Sequence, residues 1–180
     1  MEITKYIKDM FESNIDTYPD YPKKGIDFKD LSRVYTSDLA MNTIEYLIDK
    51  NLINSKADCV IGIESRGYIL GTIISRVLNI PFILARKPGK LPGKLLSKDY
   101  ELEYGTATLQ MQEHIISKYK SPIIADDLLA TGGTGEAVAN ILNSLNINVN
   151  SFVFIYELIE CKGRKKLEKY SENIYSIIKN

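Results

Sequence analysis

Short apolar runs and helix-period stretches alternate along most of this chain. The runs 59–63, 81–85 and 122–125 are nearly uninterrupted in apolar residues, too short for helices and suited to strands buried on both faces. A β-prone run covers 149–156, and a last one covers 174–178. Between them lie helical patterns. Thr36 or Ser37 can cap a helix carrying Leu39, Ala40, Thr43, Tyr46 and Leu47. The stretch 68–78 reads as a helix buried on most sides, and Ala137, Ile141, Leu142 and Leu145 mark another. Strands alternating with helices predict an α/β fold with a central, mainly parallel sheet flanked by helices.

The remaining segments are less regular. Ile3, Ile7, Met10 and Phe11 recur at helical spacing until Tyr18-Pro19-Asp20-Tyr21-Pro22 breaks the pattern. From there to Arg33 no period is visible. Arg86, Lys87, Lys90, Lys94 and Lys98 stand among Pro88, Gly89, Pro92 and Gly93, the composition of a mobile cationic loop. Residues 100–104 alternate, Gly105 turns and 106–111 alternate again, which predicts a hairpin. A short polar helix is expected over 164–170.

Composition narrows the class. At 180 residues, with 44% hydrophobic and 26% charged content, the chain is expected to form one soluble domain spanning 1–180. Lys plus Arg balances Asp plus Glu at 23 each, so no net field recruits nucleic acid or an anionic membrane. Cys59 and Cys161 are too few for a disulfide framework or a thiol metal site. With no leader-like or spanning apolar stretch, a cytoplasmic protein is expected.

The chemistry concentrates in 122–135. A buried strand ends in Asp126 and Asp127; a loop of Ala130, Thr131, Gly132, Gly133 and Thr134 follows, and then a helix begins. Backbone N–H groups and the positive helix end converge there, and the threonine hydroxyls add donors, so the loop is a phosphate cradle. It is not a Walker loop, which needs Lys and Ser or Thr after the glycines. Nor is it a dinucleotide fingerprint, whose ribose acid follows the glycines by about twenty residues. Acids directly before the cradle suit a ligand whose sugar hydroxyls lie beside its own phosphate, a ribose 5-phosphate.

The run Asp126-Asp-Leu-Leu-Ala-Thr131-Gly-Gly-Thr134 resembles the phosphoribosyl pyrophosphate (PRPP) signature of the type I phosphoribosyltransferases, and most closely of their adenine branch. Four more stretches share the likeness, in the family's order: Tyr21-Pro-Lys-Lys-Gly25-Ile-Asp-Phe28-Lys-Asp30, Gly62-Ile-Glu-Ser65-Arg66-Gly67, Arg86-Lys87-Pro-Gly89-Lys90-Leu-Pro92-Gly93 and Tyr100-Glu-Leu-Glu103-Tyr104-Gly105. The resemblance implies a type I phosphoribosyltransferase fold with a small N-terminal hood, about 1–35, and a flexible β-hairpin lid, about 87–108. It implies transfer of the 5-phosphoribosyl group from PRPP to adenine, giving AMP and pyrophosphate in purine salvage, by a homodimer with Mg²⁺.

By the same resemblance, Asp126 and Asp127 take the ribose hydroxyls and 130–134 the 5-phosphate. Ser65, Arg66, Arg86, Lys87 and Lys90 are the pyrophosphate contacts, although in some relatives the residue matching Arg86 serves the partner's site. Glu103 handles the proton of the attacking base, and Tyr104 beside it orders the lid. Asp27 and Lys29 match backbone contacts to the base, with Phe28 and Leu128 packing around it; relatives usually carry an apolar residue and Arg at 27 and 29. The metal needs no direct protein ligand, since Mg²⁺ favours phosphate oxygens and water. His114 is expected in solvent. The rival readings are a phosphoribosyltransferase for another base and a non-catalytic PRPP-sensing regulator, which reuses this fold.

Overall fold

The computed structural model describes residues 5–101 and 106–180. In chain order the elements are α1 (Lys5–Glu12), β1 (Asp16–Tyr18), β2 (Phe28–Asp30), α2 (Ser32–Tyr35), α3 (Asp38–Leu52), β3 (Cys59–Ile63), α4 (Gly67–Leu78), β4 (Phe82–Ala85), β5 (Leu95–Glu101), β6 (Thr106–Gln112), α5 (Glu113–Ile116), β7 (Pro122–Leu129), α6 (Gly133–Ser144), β8 (Ser151–Glu157), α7 (Gly163–Leu167) and β9 (Ile174–Lys179). Five of the strands form one parallel sheet in the order β4-β3-β7-β8-β9.

That order decides where a ligand fits. From β3 the chain steps outward to β4, then returns past β3 to β7 and proceeds the other way. The reversal lies between β3 and β7, and in open α/β sheets such a switch point leaves a crevice beyond the carboxyl ends of the strands.

Strand alternation divides the core in two. Cys59, Ile61, Ile63, Ile124, Phe152 and Phe154 pack with α6, Leu109 and Met111 on one face. Val60, Ile123, Ala125, Val153 and Ile155 pack with α3, α4 and Phe11 on the other. Ser37 caps α3 by accepting from the Ala40 amide. The face this helix buries is Ala40, Ile44, Leu47, Ile48 and Leu52. Leu39 and Tyr46, part of the pattern that marked this helix, are 51% and 58% exposed. The helix has two apolar stripes, and only one can meet the sheet.

Two further expectations change. β7 does not stop at Ala125: it runs on through both aspartates to Leu129, because β8 offers pairing partners as far as Glu157. The hairpin also starts earlier than expected. Leu95 pairs with Gln112 and Lys98 with Leu109, so 95–98 is strand rather than loop. Side chains lock that register, with Thr108 donating to Asp99 at 2.6 Å and Gln110 to Ser97 at 3.1 Å. The aperiodic 22–33 segment includes β2, which pairs with β1 antiparallel. His114 is exposed on α5.

Candidate active site

The switch point holds a cleft of about 910 Å³. Its floor is the end of β7 with the loop 130–134, one wall is the Glu64-Ser65-Arg66 turn after β3, and the other is the 21–28 segment. The Glu64–Ser65 peptide is cis. Gly132 adopts φ +76° to start α6, and Gly133 is the first helical residue, so amides of the loop gather at the positive end of a twelve-residue helix. α4 comes just as close from the other side: a Cβ at Gly67 would stand 2.7 Å from the Ala125 carbonyl and 2.9 Å from Asp126 Oδ1.

Because β7 remains extended through them, Asp126 and Asp127 point to opposite faces of the sheet. Asp126 turns to the α6 side, where Oδ1 accepts the Asp127 amide at 3.0 Å and Oδ2 accepts the Thr134 hydroxyl at 3.3 Å. Asp127 turns to the N-terminal side, where its Oδ2 lies 2.9 Å from Arg66 Nε. That N–H is not aligned on the oxygen, which is buried without a hydrogen bond. The Arg66 guanidinium stacks 5.2 Å above the Phe28 ring, and Tyr21 meets that ring edge-on at 5.2 Å.

Asp126 is 9% and Asp127 2% exposed. Burial pushes both carboxyls above the usual carboxylate range. The neighbouring charge of Asp127 adds to the effect at Asp126, and Arg66 opposes it at Asp127. Tyr35, whose hydroxyl is buried with no hydrogen-bond partner, is pushed up by burial and then by the charge of Asp127. Two buried acids whose charge burial disfavours are suited to receive hydroxyl donors.

Of the residues expected here, Asp126, Asp127, Leu128, Ala130, Thr131, Gly132, Gly133, Thr134, Ser65, Arg66, Lys87 and Phe28 line the cleft. Asp27, Lys29, Arg86 and Lys90 do not. Ile26 and Phe28 face inward, so Asp27 between them is exposed, and Lys29 Nζ donates to Thr17 Oγ1 at 3.0 Å. Arg86 Nε donates to Glu64 Oε2 at 3.1 Å and its Nη1 to the Lys90 carbonyl at 3.2 Å. Glu103 and Tyr104 lie outside the described residues.

The cleft also contains Glu64, Tyr100, Ile26 and Lys23, to which the sequence reading gave no role. Tyr100 was within reach of pattern analysis. It shares a face of β5 with Leu96, and both pack on the α6-side core. Glu64 had no such signal, because its partners Arg86 and the Lys87 amide are remote in sequence.

The sequence profile described as the phosphoribosyl transferase domain matches residues 33–179. A Halothermothrix orenii protein named adenine phosphoribosyltransferase is 41% identical over 170 residues, covering 94% of this chain and 95% of its own. A protein of the same name from Brachyspira hyodysenteriae is 41% identical over 177 residues, covering 97% and 98%. The adenine phosphoribosyltransferase crystal structure from Thermoanaerobacter pseudethanolicus superposes with a TM-score of 0.88 at 40% identity, covering 96% of this chain and 99% of that one. The Giardia lamblia enzyme complexed with 9-deazaadenine does so at 0.89 and 32% identity, covering 94% and 95%.

Proposed function

The chain belongs to the phosphoribosyl transferase family, and from that premise we propose that it moves the 5-phosphoribosyl group of PRPP onto adenine, releasing pyrophosphate and AMP. The observation that carries this reading is the direct succession, at the switch point, of two buried carboxylates and a glycine–threonine loop at a helix N-terminus. Relatives named adenine phosphoribosyltransferase match it along nearly the whole chain.

Breaking the bond between the anomeric carbon and pyrophosphate leaves positive charge on the sugar and negative charge on the leaving group. The amides of Ala130–Gly133 and the Thr131 hydroxyl hold the 5-phosphate. Asp127, ion-paired with Arg66, accepts one ribose hydroxyl, and Asp126, held by the Asp127 amide and Thr134, takes the other. Fixed carboxylates beside the ring also offset its developing charge. Arg66, Ser65 and Lys87 face the pyrophosphate, Arg66 with the rigid fork that suits phosphate oxygens. Phe28, Ile26 and Leu128 enclose the base, with recognition by backbone groups around Asp27 and Lys29. Glu103, on the lid, manages the base proton.

Mg²⁺ fits this site as a companion of the ligand. Among the described residues no three His, Cys, Asp or Glu side chains gather into a cage, and oxygens of PRPP and water would hold it without one. When bound it neutralises charge on the diphosphate.

A homodimer in the cytoplasm completes the reading. α3 and α4 leave Leu39, Tyr46 and Ile69 exposed, beside a groove lined by Glu45, Thr72, Ile73 and Arg76, a surface that a second copy would cover. Among the described residues no helix is long and apolar enough to cross a membrane.

The test is PRPP- and Mg²⁺-dependent conversion of adenine, hypoxanthine, guanine, xanthine and orotate, read as pyrophosphate release. Adenine should be turned over far faster than the others, since a buried site that pairs polar base groups discriminates strongly. Equal turnover of adenine and hypoxanthine would remove the adenine assignment, and PRPP binding without turnover of any base would favour a regulator.

A further inference from the structure

Behind the loop 130–133 lies the start of α7, with no side chain between the two backbones. A Cβ at Gly163 would stand 2.1 Å from the Ala130 carbonyl oxygen and 2.7 Å from the Gly132 nitrogen; a Cβ at Gly132 would meet the Gly163 carbonyl oxygen at 2.8 Å. Distances that short cannot be absorbed by rotating a side chain, because the atoms in contact on both sides are backbone. The position of the cradle is therefore set by the position of Gly163.

Gly163 is in turn fixed by its neighbour. Arg164 donates from Nε to Glu157 Oε1 at 2.8 Å, from Nη2 to Glu157 Oε2 and to Ser176 Oγ at 3.2 Å, and from Nη1 to the Ile174 carbonyl at 2.9 Å. Ser176 donates to Glu157 Oε2 at 2.6 Å. Glu157 and Ser176 are buried. Burial of Glu157 opposes its charge, but the bonds from Arg164 and Ser176 outweigh it and hold the carboxyl below its usual range. Glu157 also stands opposite Leu129 in the sheet, one residue before the loop departs. One turn into α7, Leu167 packs against Gly135, while Lys166 and Lys169 pair with Glu136 at 3.7 and 2.7 Å. Both ends of the cradle are thus contacted by α7 and the turn that follows it.

A buried bidentate pair is a poor way to add stability, since apolar residues of equal volume commonly do as well; what its fork supplies is direction. We propose that Gly163 and the Glu157–Arg164–Ser176 cluster are positioning residues for the phosphate cradle, holding the amides of Ala130–Gly133 at the spacing a phosphate dianion needs without touching the ligand. This rests on the reading of that loop as the phosphate site.

The test compares Gly163→Ala, Arg164→Lys and Ser176→Ala with Thr131→Ala, a change in the cradle itself. Ribose 5-phosphate is titrated by calorimetry, KM values for PRPP and adenine are measured separately, and thermal unfolding is followed. Gly163→Ala should weaken ribose 5-phosphate binding and raise KM for PRPP by about tenfold or more, as small displacements of positioned groups do. KM for adenine should move far less. Arg164→Lys, which keeps charge but not the fork, and Ser176→Ala should shift the same two quantities in the same direction by less. They also decide the matter if Gly163→Ala does not fold. Unchanged ribose 5-phosphate affinity in folded brace variants, with Thr131→Ala weakened, would overturn the brace. A parallel rise in both KM values with a loss of thermal stability would also overturn it, leaving a structural role only. If Thr131→Ala binds ribose 5-phosphate like the wild type, the phosphate-site reading itself falls, and the brace with it.

Discussion

Arg86 is paired with Glu64, which lines the cleft: Nε donates to Oε2 at 3.1 Å, and the same carboxylate oxygen accepts the Lys87 amide at 3.1 Å. Burial opposes the charge on Glu64, but these hydrogen bonds hold its carboxyl below the ordinary value. One acid thereby orients two of the expected pyrophosphate contacts. Arg86 also exchanges backbone hydrogen bonds with Gln110, so the pair stands where the β5–β6 hairpin joins the main sheet. Glu64→Gln should weaken pyrophosphate binding by about three- to tenfold, the loss of roughly 1 kcal/mol expected for one charged hydrogen bond at a partly exposed site. Because the folded carboxyl is depressed, the wild-type contribution is present above its ordinary value of 4.5 and disappears as the pH falls through the folded value. The difference between variant and wild type should shrink in acid, measured by calorimetry with pyrophosphate.

Asp126 carries the opposite shift. Burial and then the neighbouring Asp127 charge raise its carboxyl well above normal, so its ionisation costs stability. Asp126→Asn should raise the stability of the ligand-free protein by about 1 kcal/mol, or roughly 2–4 °C in Tm for a chain of this size. For a raised acid the cost is full above the folded value and gone below the unfolded one, 3.8. The gain should therefore be present at neutral pH and fade as acid protonates the wild type. The same variant should bind ribose 5-phosphate more weakly. A neutral-pH Tm below that of the wild type would show that Asp126 is stabilising where it sits.

The sheet was legible because its central strands are buried on both faces, which the runs at 59–63 and 122–125 advertise directly, while the apolar run at 81–85 marks an edge strand buried on alternate residues. The loop 130–134 at the start of α6 was legible because its glycines and threonines are contiguous. What the sequence hid depends on long-range packing. Which stripe of α3 meets the core is decided by the sheet, so Leu39 and Tyr46 could not be assigned from period alone. That Asp126 and Asp127 diverge to opposite faces follows from β8 extending the strand past them, which no local signal announces. Gly163 looks like an ordinary loop glycine until its contact with Ala130 is seen.

Gly67 tests how tightly the crevice is closed at its base. Its missing side chain lets α4 lie against β7, and a methyl there would press on the Ala125 carbonyl and on Asp126 Oδ1, Asp126 being part of the proposed ribose site. Gly67→Ala should lower stability by about 1–3 kcal/mol, the usual cost of overpacking. Ribose 5-phosphate affinity should fall with it, because both the Asp126 carboxylate and the backbone that carries it are pressed. Unchanged unfolding and binding curves would mean that α4 shifts away freely.

The segment after β4 offers a test of lid behaviour by proteolysis. On sequence, trypsin would cut after Lys90, Lys94 or Lys98 without distinction. The structure separates them. Lys98 sits in β5 opposite Leu109, and Lys94 is tied by Nζ to Glu113 at 3.0 Å and by its carbonyl to the Glu113 amide at 3.1 Å. Lys90 lies between Gly89 and Gly93, both at positive φ, and its carbonyl has one exposed hydrogen bond to Arg86. A protease needs a locally unfolded stretch, and opening one bond costs less than opening a hairpin. Cleavage should begin after Lys90, proceed more slowly after Lys94 and be slowest after Lys98. PRPP, Mg²⁺ and an unreactive adenine analogue should together slow the Lys90 cut several-fold, since Lys87 at the start of this loop lines the cleft proposed to take the pyrophosphate, and closure there would exclude water from the reacting sugar. Mass spectrometry of a time course reads the order directly. First cleavage after Lys98 would mean the hairpin opens before the loop, and a rate at Lys90 unaffected by ligand, with binding verified by calorimetry, would show that the loop does not close over the site.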